Sequence, residues 1–149
     1  MNYFLKTIAV GFFITASLQL IAQDNNPRRE FRNGISVYAV GPNVVGSVSY
    51  DYFISPILNL EAGIGFIGVH GGFRLHLSGN RGEKRWTPYI GASIARSLYR
   101  SVGTDYVPYF PIGMHYIGKD QFNFAVEIAP LQLSFLSWNV IGAKAGYRF

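Results

Sequence analysis

The chain has 149 residues, of which 49% are hydrophobic, 16% aromatic and only 14% charged. An ordinary soluble domain carries about 25% charged residues, so this one has too little charge to coat a conventional water-facing surface. The absence of cysteine excludes a disulfide framework, a thiolate metal site and a lipidated N-terminal Cys, the hydrophobicity excludes a disordered chain, and the length suits one domain with its own core.

Residues 1–22 read as a secretory signal peptide. Lys6 supplies the positive end, residues 7–18 (TIAVGFFITASL) supply the apolar stretch, and small Ala22 offers a cleavage point before Gln23. The alternative, a membrane anchor, needs about 20 apolar residues, and this stretch is shorter. Residues 23–32 form a lead-in containing Pro27, Arg28, Arg29, Glu30 and Arg32. Such a cluster is expected to be solvated and loosely ordered, with contact to anionic lipid as the sharper alternative. The formal net charge of +5 does not point to nucleic acid, because the basic residues form no long run and an exported chain does not meet it.

From residue 33 to 149 the pattern has a period of two, the signature of strands. In 58–66, Leu58, Leu60, Ala62, Ile64 and Phe66 share one face; Asn59, Glu61, Gly63 and Gly65 share the other. Val69, Gly71, Phe73, Leu75 and Leu77 likewise oppose His70, Gly72, Arg74 and His76. Phe122, Phe124, Val126 and Ile128 oppose Asn123, Ala125, Glu127 and Ala129. At the end of the chain, Ile141, Ala143, Ala145, Tyr147 and Phe149 oppose Gly142, Lys144, Gly146 and Arg148. Gly and Pro breakers at 41–43, 55–56, 79–82, 101–105 and 118–120 divide the chain. Eight strands are predicted at 34–41, 44–53, 57–67, 69–78, 86–98, 106–117, 121–134 and 138–149. Pro108, Pro111 and Pro130 should mark bulges or frayed rims, and Pro130 should flip the phase of its strand. No internal repeat or second-domain linker is present.

Alternation alone does not say which face points inward. Three features place the apolar face outward. The polar faces consist of Gly, Ala, Ser and isolated charges, which suit a narrow interior. Aromatic residues gather toward strand ends, where outer-membrane barrels carry interfacial girdles: Tyr50, Tyr52, Phe66, Trp86, Tyr89, Tyr99, Tyr106, Tyr116, Phe122, Phe135, Trp138, Tyr147 and Phe149. The apolar strands also follow an export signal and include no run long enough to stop in an inner membrane. The expectation is an all-β chain: one antiparallel, eight-stranded, up-and-down transmembrane barrel.

The ending Gly146-Tyr147-Arg148-Phe149 resembles the terminal signature of bacterial outer-membrane proteins, an amphipathic last strand closing on an aromatic. The chain as a whole resembles the small eight-stranded class typified by the OmpA membrane domain and OmpX. The resemblance implies a Gram-negative outer-membrane location, contact with membrane lipid and lipopolysaccharide, and recognition of Tyr147 and Phe149 by the barrel-assembly machinery. With both termini on the periplasmic side, 79–85 becomes a periplasmic turn, long for its kind; alternatively, a strand assignment nearby is wrong.

An eight-stranded barrel fills its own lumen with side chains. The inward set expected here is Asp51, Glu61 and Glu127 with Arg74, Lys144 and Arg148, a structural plug of ion pairs in preference to a proton or ion path. Arg96 falls on the apolar parity and must lie near a rim. His70, His76 and His115 share inward parity, but spacing gives no reason to group them as metal ligands, and nothing calls for a cofactor. An enzyme reading would take His76 as base, Ser78 as nucleophile and Glu83 as orienting acid, since lipid A deacylases resemble a His-x-Ser pair on an eight-stranded barrel. That match is poor, because the pair falls at the periplasmic end and the acid only five residues on. A secreted lipocalin-like ligand barrel is the third class, and its Gly-x-Trp near the N-terminus is missing. The reading is a non-catalytic structural or interaction protein with a filled lumen and no open pore; its protein partner is not legible.

Overall fold

A computed structural model describes residues 26–66, 68–81, 84–97, 106–133 and 136–149. The expected signal peptide, Glu83, Tyr99 and Phe135 lie outside these residues. The described chain opens with one helical turn, α1 (Pro27–Glu30), followed by β1 (Asn33–Gly41), β2 (Val44–Phe53), β3 (Leu58–Gly65), β4 (Gly68–His76), β5 (Trp86–Ser97), β6 (Tyr106–Tyr109), β7 (Ile112–Ile117), β8 (Phe122–Leu133) and β9 (Leu136–Arg148). Each strand pairs antiparallel with its sequence neighbour, and β9 returns to pair with β1, from Gly34 opposite Arg148 to Val40 opposite Ala143. β6 and β7 are two halves of one stave. β5 pairs with both on one continuous register, Ser93 opposite Tyr109 and Ile90 opposite Ile112. The result is a closed, antiparallel, up-and-down barrel of eight staves.

The prolines act differently from expectation. Register is continuous past Pro108 on β6, past Pro111 between the half-staves, and past Pro130, which stands opposite Asn139 in an unshifted β8–β9 ladder. Pro130 therefore does not flip the phase of its strand. A proline forfeits one ladder donor but adds no residue, so alternation survives it. The register shift lies instead in β1, between Tyr38 and Val40 against β9.

The two faces of the wall have opposite chemistry. Ile35, Val37, Val48, Leu60, Ile64, Phe73, Ile90, Ile94, Ile112, Ile128 and Ile141 are exposed on the outside, with Ile112 66% and Ile141 70% accessible. Ser36, Ser49, Asp51, Asn59, Glu61, Arg74, Thr87, Asn123, Glu127, Lys144 and Arg148 are buried inside. This reverses the arrangement of a water-soluble fold, where polar groups face out. Among the aromatics, Tyr52, Trp86, Phe122, Tyr147 and Phe149 are exposed at the end holding the described N-terminal turn and Phe149; Phe66 and Tyr106 are exposed at the other. Tyr89 departs from the expected girdle. It is three residues from Trp86, an odd spacing that turns it to the opposite face, and it is fully buried.

Connections at the end near the termini span 54–57, 77–85 and 118–121; the opposite end is joined at 42–43, 66–67, 98–105 and 134–135. The long 77–85 connection is genuine, because the β4–β5 ladder runs unbroken from Gly68 opposite Ser97 to His76 opposite Tyr89.

From Asn26 on, the lead-in is folded against the barrel and is not the loosely ordered segment expected, although Glu30 and Arg32 stay exposed. Asn26 caps α1 by accepting from the Arg28 amide at 3.0 Å, and Pro27 supplies a helix-compatible φ at the first position. The Asn26 amide donates to the Gly79 carbonyl at 2.6 Å, tying the turn across the barrel mouth to the 77–85 connection. Arg28 is fully buried.

At the β1–β9 seam the backbones approach closely. A Cβ on Gly146 would sit 2.1 Å from the Ile35 carbonyl oxygen, and the backbone there has no room to yield. Gly146→Ala is expected to cost about 1–3 kcal/mol through overpacking strain, measured as a lower urea midpoint of the refolded barrel.

Candidate functional site

The lumen is organised around three carboxylates. Asp51 on β2 and Glu61 on β3 face each other across one ladder rung, while Glu127 enters from β8. Their cationic partners are Arg74 on β4 and Lys144 and Arg148 on β9. Alternation turns all six to the inner face of their strands, and closure of the barrel brings β9 beside β1 and within reach of β2 and β3.

Glu61 is the hub. Arg74 donates to it, Lys144 Nζ donates to its Oε2 at 2.6 Å, and the Tyr38 hydroxyl donates to its Oε1 at 2.8 Å. Arg74 also donates to the Tyr38 oxygen and lies 3.6 Å from Glu127 Oε2. Glu127 accepts from the hydroxyls of Tyr89 and Tyr109, the latter at 2.8 Å. Toward the mouth near the termini, Arg148 Nη1 grips Asp51 at 2.5 and 3.2 Å, Asn59 donates to the same carboxylate at 3.0 Å, and Lys144 lies 3.7 Å from it. Arg148 then donates outward to the carbonyls of Phe31 and Arg32, each at 2.9 Å. A chain of charge-assisted bonds thus runs along the lumen and ends on the N-terminal segment.

His70 extends this chain toward the opposite end. The Asn43 amide nitrogen lies 2.8 Å from its Nδ1. Because an amide NH2 only donates, Nδ1 accepts, and the ring proton sits on Nε2, 3.4 Å from Glu61 Oε1. His76 and His115 stand apart from it near the other mouth, their rings 5.2 Å apart and packed with Phe53. The three histidines therefore do not converge, and among the described residues no group of three potential ligands has a geometry that could hold a metal.

Of the catalytic alternative, only His76 and Ser78 are among the described residues, and they are not joined. His76 is buried in the lumen with Nδ1 3.1 Å from Thr87 Oγ1. Ser78 lies in the following turn, half-buried, its carbonyl accepting from the Arg81 amide. No His76–Ser78 hydrogen bond occurs among the described residues. Arg96 is exposed at the penultimate position of β5, opposite Tyr106, with its guanidinium 5.8 Å from that ring. That is a rim position.

Four residues joined the site without being anticipated. Tyr38, Tyr89 and Tyr109 bring hydroxyls to the carboxylates, and the parity of Tyr38 with Ser36 was a usable signal. Arg28 had no such signal. It reaches up from α1 to donate to Thr87 Oγ1 at 2.7 Å, the Lys84 carbonyl at 3.0 Å and the Arg85 carbonyl at 3.3 Å. All three acceptors are neutral. Burial, and then repulsion from Arg148, draws its pKa down to about 10.

Tyr147 lies outward, opposite Phe122 on one side and Ile35 on the other. Phe149 is exposed beside it, and its backbone exchanges two hydrogen bonds with Asn33, at 2.9 and 3.0 Å. Comparison with family models, curated proteins and solved structures finds no match for this chain.

Removing one member of a buried ion cluster strands its partners, at a cost of about 3–5 kcal/mol. Glu61→Ala should destabilise the barrel by that amount. Glu61→Ala with Lys144→Met removes one charge of each sign and should recover more than half of the loss. A double-mutant cycle from urea titrations checks both values.

Proposed function

We propose that this chain is an integral outer-membrane protein of a Gram-negative bacterium, exported by a cleaved signal peptide, with a structural or interaction role and no open pore. The observation that carries this reading is the inverted wall. Aliphatic side chains cover the outside of a closed barrel while ion pairs fill its inside. In water such a surface would drive aggregation; in hydrocarbon it is the matching solvent, and closure leaves no unpaired sheet edge facing lipid. Rim aromatics at both ends support the same placement. The outward, aromatic C-terminal strand supports delivery by the barrel-assembly machinery, with membrane lipid and lipopolysaccharide as surroundings. The packed lumen supports a non-catalytic, non-conducting role.

A single substitution separates a lipid-facing wall from a water-facing one. Ile90 lies near the middle of β5 and is exposed. In a bilayer, Ile90→Arg costs about 2–4 kcal/mol; at a water-exposed site the change stays within about 0.5 kcal/mol. Folding into phosphatidylcholine vesicles, followed by the shift in gel mobility on boiling, reads the difference. Deleting Phe149 should in turn reduce the heat-modifiable species recovered from the outer-membrane fraction. A product that remains soluble in the periplasm and tolerates both changes would overturn the reading in favour of a secreted ligand-binding barrel.

A further inference from the structure

The two ends of the barrel differ in charge. At the end near the termini, three separate stretches of sequence bring cations to one rim: Arg29 in α1 and Arg32 just after it, Arg81, Lys84 and Arg85 in the 77–85 connection, and Lys119 in the 118–121 connection. Arg32, Arg81, Lys84 and Lys119 are exposed and Arg85 is half-buried. The same stretches carry the acids Glu30, Glu83 and Asp120, so bases predominate. Arg96 is the single charged residue at the opposite end among those described.

These cations sit at a defined depth. Arg85 directly precedes Trp86, Lys119 lies three residues before Phe122, and Arg32 precedes Asn33, which stands opposite Tyr52. At about 3.3 Å per residue, each is within roughly 10 Å of a rim aromatic. Aromatic girdles mark the edge of the hydrocarbon, and the headgroup layer beyond it is about 5–7 Å deep. Arg32, Lys84, Arg85 and Lys119 thus fall within three residues of a strand end at the aromatic rim, on three separate stretches of the chain. The buried Arg28 holds the arrangement in place, since its bonds to the Lys84 and Arg85 carbonyls pin that connection against the barrel mouth.

Building on the outer-membrane reading, we infer that this basic collar binds the phosphate headgroups of anionic phospholipids in the leaflet at the end near the chain termini. A ring of side-chain cations at headgroup depth recognises anionic headgroups by charge, and each Lys or Arg contributes about a fivefold preference. Among the described residues the opposite end carries Arg96 alone, and its 98–105 connection adds one base, Arg100, and one acid, Asp105.

The test uses the full barrel folded into phosphatidylcholine vesicles containing trace spin-labelled phosphatidylglycerol or spin-labelled phosphatidylcholine. Electron spin resonance then measures which lipid borders the protein. Wild type should favour phosphatidylglycerol by roughly fivefold or more at low salt. R81Q/K84Q/K119Q should cut the ratio by at least half, Arg29, Arg32 and Arg85 retaining the remainder, and 0.5 M salt, where screening reaches only about 4 Å, should bring it close to one. R96Q should leave it unchanged. A ratio of one in wild type, or equal loss in R96Q, overturns the inference while leaving the membrane reading intact. A flat lipid ratio combined with co-sedimentation of wild type, but not the triple variant, with purified peptidoglycan overturns it in favour of an anionic polymer. Failure to form a heat-modifiable barrel in any vesicle overturns the membrane reading and the inference together.

Discussion

The structure depends on the pairing of charges inside a narrow barrel. An interior of eight staves has space for side chains and little else, and a carboxylate left alone in it loses its hydration with nothing in return. Asp51, Glu61 and Glu127 therefore dictate where Arg74, Lys144 and Arg148 must stand. Because these partners come from β2, β3, β4, β8 and β9, the pairs act as long-range constraints on register. A slip of one residue on any of these strands would turn a charge outward and leave its partners unpaired inside. Three tyrosine hydroxyls complete the set: Tyr38 and Tyr109 donate to carboxylate oxygens that the cations do not reach, and Tyr89 donates to Glu127 Oε2, 3.6 Å from Arg74.

The same alternation that buries these charges exposes the aliphatic face. Every stave contributes Ile, Val, Leu, Phe or Ala outward and Ser, Gly or a charged residue inward, so interior polarity and exterior apolarity are two consequences of one period. Small inward residues have a further task. Gly72 and Gly146 let adjacent backbones and side chains approach where a Cβ would clash, which keeps the cylinder narrow enough for the ion pairs to touch.

The N-terminal segment gives the two ends their different characters. Arg148 and Arg28 reach the same mouth from opposite directions, one satisfying the carbonyls of Phe31 and Arg32, the other those of Lys84 and Arg85. The length of the 77–85 connection follows from this arrangement, because it forms the surface on which α1 docks. Arg28 accepts burial among neutral oxygens, offset by three hydrogen bonds and by closure of the mouth. The other end is joined at 42–43, 66–67, 98–105 and 134–135.

By itself, the sequence determined the period, and with it the strands, the two faces and the inward direction of Asp51, Glu61, Arg74, Glu127, Lys144 and Arg148. Those features are local, and side-chain direction in a strand follows from residue number alone. The prolines misled because their cost falls on one hydrogen bond and not on the register. Tyr89 misled because nearness to a strand end outweighed its odd spacing from Trp86. Only the tertiary structure decided which charges meet, that His70 serves Glu61 while His76 is held by Thr87, and that Arg28 leaves its run of basic neighbours to close the barrel. These depend on closure between β9 and β1 and on the path of the lead-in across the mouth, and no spacing along the chain encodes either distance.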